Sequence, residues 1–180
     1  MTSAWPTPQD CIDLLRRVGA KDDVVAHTTA VARVALPIAE QIRANKHEVD
    51  VALVHSGALL HDIGRARTHN IDHAGVGAQI LRGIGLPEAL CLVVERHTGG
   101  GIDPQEARQL GLPIKDYTPR TLEEKIICQA DNLVDGVNRQ KVHEELSSLR
   151  SRGLDHVAAK IQTLHQELSL LAGRDLDEIK

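Results

Sequence analysis

The chain has no phenylalanine, one tryptophan and one tyrosine among its 180 residues. The interior must therefore be filled by Leu, Ile, Val and Ala, and there is no aromatic platform on which single-stranded RNA could stack. A positive excess is also missing: 21 Lys and Arg stand against 25 Asp and Glu, for a net charge of −4. That balance lacks the basic footprint of a nucleic-acid binder, so nucleic acid is not an expected partner. Cys11, Cys91 and Cys128 are odd in number, far apart and outside any Cys-x-x-Cys, which excludes a disulfide framework and suits reduced thiols in the cytoplasm. No apolar run approaches the roughly 20 residues that span a bilayer, and the N-terminus lacks the charged and apolar regions of a signal peptide. A cytoplasmic location with no membrane partner is the expectation.

The length suits one domain with a real core. Many Ala, Leu, Glu, Arg and Gln, with no alternating segment, predict an all-α, single-domain helical bundle. Stop signals predict a first helix over Gln9–Val18, a second from an Asp22 cap to Ala44 with a kink at Pro37, and a third from Asp50 to Asp62-Ile63-Gly64. A fourth is expected over Asp72–Ile84, a fifth from Leu86-Pro87 to the Gly99–Gly101 loop, and a short one after Pro104. Thr121-Leu-Glu-Glu124 reads as a capping box opening a helix to about Val137, and polar amphipathic helices follow around Gly153. The domain reading is an N-terminal helix over 1–20, a core over 21–139 and C-terminal helices over 140–180 packed on the same body.

The chain also carries ten histidines. Several fall inside the apolar stripes rather than opposite them. The stripes read Val24, His27, Val31, Val34, Ile38; Val51, Val54, Ala58, His61; His73, Val76, Ile80, Ile84; and Leu86, Leu90, Val93 or Val94, His97. Ile127, Asp131 and Val134 share a further face. Steps of three and four keep such residues on one side of a helix, so these polar groups point inward. One buried histidine is ordinarily satisfied by a carbonyl. Inward histidines together with inward carboxylates call for a cation, because a buried carboxylate is costly unless paired or ligating. Mixed imidazole and carboxylate donors suit a divalent ion of Fe, Mn, Co, Ni or Zn. The other histidines are expected elsewhere: His55 at a surface or between helices, His47 solvated in a turn, His143, His156 and His165 facing solvent from the polar tail. Cys128 reads as core packing and Trp5 as an anchor before the first helix.

The ordered set His27, His61-Asp62-Ile63-Gly64, His73, His97 and Asp131 resembles the signature of the HD superfamily of metal-dependent phosphohydrolases. The likeness runs from about Asp22 to Arg139. Leu59-Leu60-His61-Asp62-Ile63-Gly64 is similar to the motif of the HDIG subgroup, and Asn70-Ile-Asp-His73, Glu95-Arg-His-Thr98 and Gln129-Ala-Asp-Asn132 look most like small archaeal HD proteins. They also resemble bacterial HD hydrolases that cleave dinucleoside tetraphosphates. The resemblance implies His27, His61, Asp62 and Asp131 as ligands of a first metal, with His73 and His97 completing a second site bridged by Asp62. It implies a water acidified by the metal and a catalytic role for Asp62 and Arg65. Substrate phosphate would meet Arg65, with Arg67, His69, Thr98 and Arg139 as further candidates lining the cleft.

The expected partner is a small phosphorylated substrate, either a cyclic phosphate or a nucleotide or dinucleoside polyphosphate, and the polar C-terminal helices are the candidate surface for a homodimer. Two alternatives stand beside this: a non-catalytic module that senses metal and nucleotide, and an RNA nuclease. The complete ligand set argues against the first; the acidic balance argues against the second.

Overall fold

The structure is a computed structural model in which residues 5–180 are described. Among them the helices are α1 (Pro8–Val18), α2 (Asp22–Ala44), α3 (Val51–Leu60), α4 (His73–Gly83), α5 (Glu88–Glu95), α6 (Pro104–Gln109), α7 (Leu122–Asn132), α8 (Val142–Ser151) and α9 (Asp155–Ala172). A 3-10 turn over Ile63–Ala66 follows α3, and another over Leu176–Glu178 closes the chain. The start signals are physical. Thr7 and Asp10 form a reciprocal capping box before Pro8, Asp50 Oδ1 accepts from the Leu53 amide, and Thr121 accepts from the Glu124 amide. Glu124 does not close its expected box; its carboxylate turns to Arg96 and to the Arg120 amide.

The long α2 is the central strut. It passes through Pro37 without interruption and packs against α3, α7 and α9, while α4 packs on α5 and α8 on α9. Its buried residues Val31, Val34, Ile38 and Ile42 share one aliphatic core with Val54 and Ala58 of α3, Ile127 of α7 and Leu164, Leu168 and Ala172 of α9. Two close approaches set the positions of α3 and α4. A Cβ on Gly57 would stand 2.6 Å from side-chain atoms of both Ile127 and Val93, so α3 lies tight against α5 and α7. A Cβ on Gly64 would fall 1.9 Å from the His73 carbonyl oxygen and 2.7 Å from the Gly77 nitrogen. The backbone after His61-Asp62 therefore touches the first turn of α4 directly, which only glycine permits.

That contact corrects the expected face of α4. Its buried side is His73, Ala74, Gly77, Ala78 and Leu81, and Ile84 is 54% exposed. The small residues face inward because the Gly64 backbone needs them there. A second correction falls after α7, which ends at Asn132 rather than near Val137. Val134–Asp135 (β1) pairs antiparallel with Asn138–Arg139 (β2) around Gly136, at φ +59°. Two-residue strands are too short to show alternation, but Asp135-Gly136 is a hairpin-turn signal that a helix reading passes over. A third correction concerns His165, which is buried: Gln129 Nε2 lies 3.2 Å from its Nδ1, and its Nε2 lies 2.9 Å from Asp175 Oδ1. All three cysteines are buried free thiols, and Trp5 donates its indole N–H to Asp50 at 2.7 Å. No helix among the described residues is long and apolar enough to cross a membrane.

Candidate metal centre

Five elements deliver side chains to one point. His27 comes from the second turn of α2, His61 and Asp62 from the end of α3, His73 from the first turn of α4, His97 from just beyond α5, and Asp131 from the last turn of α7. Each of the four imidazoles has its Nδ1 against a backbone carbonyl: Gly136 for His27 at 2.7 Å, Ala58 for His61 at 2.7 Å, Asn70 for His73 at 2.8 Å and Val94 for His97 at 2.7 Å. A carbonyl only accepts, so every Nδ1 carries the proton and every neutral ring turns its Nε2 lone pair inward. This is the orientation that metal-ligating histidines take from their outer partners.

The inward atoms converge. His27 Nε2 lies 3.0 Å and His61 Nε2 3.4 Å from Asp131 Oδ1. Asp62 divides its oxygens: Oδ1 lies 3.2 Å from His73 Nε2 and 3.6 Å from His97 Nε2, while Oδ2 lies 3.8 Å from His61 Nε2 and 3.9 Å from His27 Nε2. Two donor groups, His27–His61–Asp131 and His61–Asp62–His97, each fit within 4.8 Å. His61 Nε2 and Asp62 Oδ1 are buried with no hydrogen-bond partner. A buried polar atom left so costs about 1–3 kcal/mol, which a cation at this point would remove. The residues present thus fit a metal.

Charge is distributed accordingly. Burial opposes a charge on His61, yet the Asp62 and Asp131 carboxylates overrule it and raise its pKa to about 9. Burial also works against the carboxylates, but the His61 charge and the close approach of His73 and His97 hold Asp62 far below the usual range; His61 and His27 do the same for Asp131. His27 is raised despite burial, chiefly by its bond to Asp131. His97 is lowered by burial and by the neighbouring His61 and His73.

The remaining candidates separate. Arg65 is at the cluster, donating Nε to Asp62 Oδ2 at 2.6 Å. Thr98 follows His97, and its Oγ1 is buried without a partner. Arg67 and His69 are exposed on the loop leading to α4. Arg139 is not brought to the cluster: it lies in β2 and donates to the Leu176 carbonyl at 2.7 Å, tying the C-terminal turn down. Two contributors were not foreseen from sequence. The Gly136 carbonyl fixes His27, and Asn132 Nδ2 holds the Gly99 carbonyl at 2.7 Å.

Fold and donor set define an all-helical protein built around an interior His/Asp metal cluster. The chain belongs to the HD-domain family, whose profile matches residues 24–134, and with it to the metal-dependent phosphohydrolases. An uncharacterised protein of Methanocaldococcus jannaschii is 49% identical over 140 residues, covering 77% of this chain and 83% of that one. A tRNA (cytidine(56)-2'-O)-methyltransferase of Thermoplasma volcanium is 44% identical over 88% of this chain, but the chain spans only 46% of its length. Ribonuclease Y of Acidothermus cellulolyticus is 28% identical over 76% of this chain and 24% of its own. Among solved structures, the HD domain of the L. monocytogenes phosphodiesterase PgpH, in complex with cyclic-di-AMP, superposes with a TM-score of 0.58 at 19% identity, covering 91% of this chain and 94% of that one.

Proposed function

We propose that this chain hydrolyses a small nucleotide-like phosphodiester or cyclic phosphate, with His27, His61, Asp62 and Asp131 holding a first divalent ion and His73, His97 and Asp62 a second. The division of Asp62 between two sets of imidazoles carries this reading, because a carboxylate that faces both ways can bridge two ions. Ions of the imidazole- and carboxylate-binding class, Fe, Mn, Co, Ni or Zn, supply Lewis acidity toward a phosphoryl oxygen and acidify a water molecule.

The chain's own residues do the rest. The four carbonyl-anchored rings keep their donor atoms fixed, so no reorganisation is needed during the reaction. Arg65 donates Nε to Asp62 and places Nη2 3.4 Å from His73 Nε2, which leaves Nη1 for a phosphate oxygen, with its side chain 32% exposed. Asp62 orients Arg65 and receives charge from the surrounding rings. Buried walls exclude bulk water, which strengthens each of these interactions.

The binding of cyclic-di-AMP by PgpH supports a small nucleotide partner. The likeness to ribonuclease Y supports a second reading in which the phosphodiester lies in RNA; the net charge of −4 favours the small substrate. The test is turnover of bis-p-nitrophenyl phosphate and of nucleoside 2′,3′-cyclic phosphates by the chain loaded with Mn²⁺ or Fe²⁺. Hydrolysis that disappears in Asp62→Asn is the expected result. A metal-loaded, folded chain that cleaves no phosphoester contradicts the proposal.

A further inference from the structure

A cavity of about 590 Å³ adjoins the metal cluster, within the range of roughly 300–1,000 Å³ typical of small-molecule sites. At one end it is lined by Arg65, which touches Asp62, and by Thr98 and Asn132, each next in sequence to a cluster residue. At the other it is lined by Leu149, Leu154, Val157 and Ile161 of the α8–α9 hairpin, with Ile102 beside them. The Gly99-Gly100-Gly101 loop also lines it, offering bare peptide planes.

This wall is built rather than incidental. The Gly99 carbonyl accepts from Asn132 Nδ2 at 2.7 Å and from Cys128 Sγ at 2.9 Å, and the Gly101 carbonyl from Lys160 Nζ at 3.2 Å. A Cβ on Gly100 would stand 2.5 Å from Lys160 Cβ and 3.0 Å from the Ile161 nitrogen. The loop is thus clamped between α7 and α9. Leu149 and Ile161 belong to a small core of their own with Leu146 and Ala158, which fixes the hairpin.

Charge differs along the cavity. Phosphate would sit near Arg65. The far end has Glu106 and Glu145 with Arg152 and His156, and Glu106 is already paired with Lys160. Two glutamates against two arginines make no continuous cationic track for a polymer backbone. Thr98, which lines the cavity, has its Oγ1 buried without a hydrogen-bond partner. Two of the chain's exposed large apolar residues, Ile71 and Leu110, lie on the same lining.

We infer that this cavity receives the uncharged planar ring of a nucleotide-sized phosphoester, inserted between the Gly99–Gly101 peptide planes and the aliphatic face of α8–α9. The hairpin is therefore the specificity element of the site. The inference rests on the hydrolase reading for the position of the phosphate, but its test does not depend on turnover.

Calorimetric titration of the Mn²⁺-loaded chain with adenosine 3′-monophosphate and with inorganic phosphate measures the ring's contribution. The mononucleotide binds at least tenfold tighter than phosphate. Val157→Phe, which fills the cavity, removes that advantage and leaves phosphate affinity within twofold. Leu110→Asp, at a 47% exposed position where folding is not at stake, weakens the mononucleotide at least threefold and phosphate less. Equal affinities for mononucleotide and phosphate overturn the inference. So does an oligoribonucleotide that binds more tightly than the mononucleotide and ignores both substitutions. A chain that binds the mononucleotide as described but hydrolyses nothing would sink the hydrolase reading alone.

Discussion

His73 Nε2 lies 3.2 Å from His97 Nε2, while the Nδ1 of each ring donates to a backbone carbonyl, of Asn70 and of Val94. With both δ protons committed, two neutral rings would face each other with lone pairs. That juxtaposition is repulsive unless a proton or a metal ion lies between them, beside Asp62 Oδ1 at 3.2 and 3.6 Å. The prediction is that His73→Ala and His97→Ala each lower the metal content from two equivalents to about one without unfolding the chain, whereas Asp62→Ala, which removes the carboxylate facing both sets of imidazoles, removes both. Elemental analysis of the purified variants checks it.

His61 links the cluster to pH. Its pKa is raised from 6.5 to about 9 in the metal-free fold. The stability this provides is fully present below the unfolded value and is lost as pH rises through about 9. An incoming ion must displace the same proton, so apparent affinity rises by up to tenfold per pH unit until about pH 9. Titration of Mn²⁺ at about pH 7.5 in buffers of different ionisation enthalpy is expected to show about one proton released on binding of the ion that His61 holds. A binding enthalpy independent of buffer would contradict this.

Gly64 sets the distance between the His61-Asp62 end of α3 and the first turn of α4. Any Cβ there would overlap the His73 carbonyl at 1.9 Å, and a backbone atom cannot swing aside. Gly64→Ala is expected to cost at least about 1–3 kcal/mol, the ordinary range for overpacking. It is also expected to reduce metal content by displacing His73. Denaturant unfolding and metal analysis of the variant check both effects.

Much of this arrangement was legible in the sequence because His27, His61, His97 and Asp131 each fall within an apolar stripe of period 3.6. His27 between Val24 and Val31, or His61 after Val54 and Ala58, can only point inward if the helix is buried. The face of α4 was not legible, since its choice depends on a backbone contact from Gly64 rather than on the hydrophobicity of Val76, Ile80 and Ile84. His165 was misread for a related reason. It sits among polar residues, yet its partners Gln129 and Asp175 come from α7 and from the chain end, and only tertiary packing brings them together. The Gly136 carbonyl that orients His27 is a backbone group, carrying no side-chain signal beyond the Asp-Gly turn.

The buried His165 joins α7 to the C-terminal turn. His165→Leu leaves Gln129 without its partner, and Gln129 Oε1 already lacks one. A loss of about 1–3 kcal/mol is expected. Metal content is expected to stay unchanged, because the cluster lies on the other side of α7. Thermal unfolding with parallel metal analysis checks this.

Arg65 holds Asp62 and is expected to hold phosphate. Arg65→Ala is predicted to lower kcat/KM toward bis-p-nitrophenyl phosphate by about 10²–10³-fold, the range for one preorganised donor. Arg65→Lys restores charge but not the fork, and recovers only part of the loss. Steady-state kinetics of both variants check it.

The most direct test of the account is anomalous X-ray diffraction, at the metal absorption edge, from crystals grown with Mn²⁺ or Fe²⁺. The account predicts a peak within bonding distance of His27, His61, Asp62 and Asp131, and a neighbouring peak shared by Asp62, His73 and His97. Absence of any peak there, or a peak only at His165, Asp175 and Asp177, would contradict it.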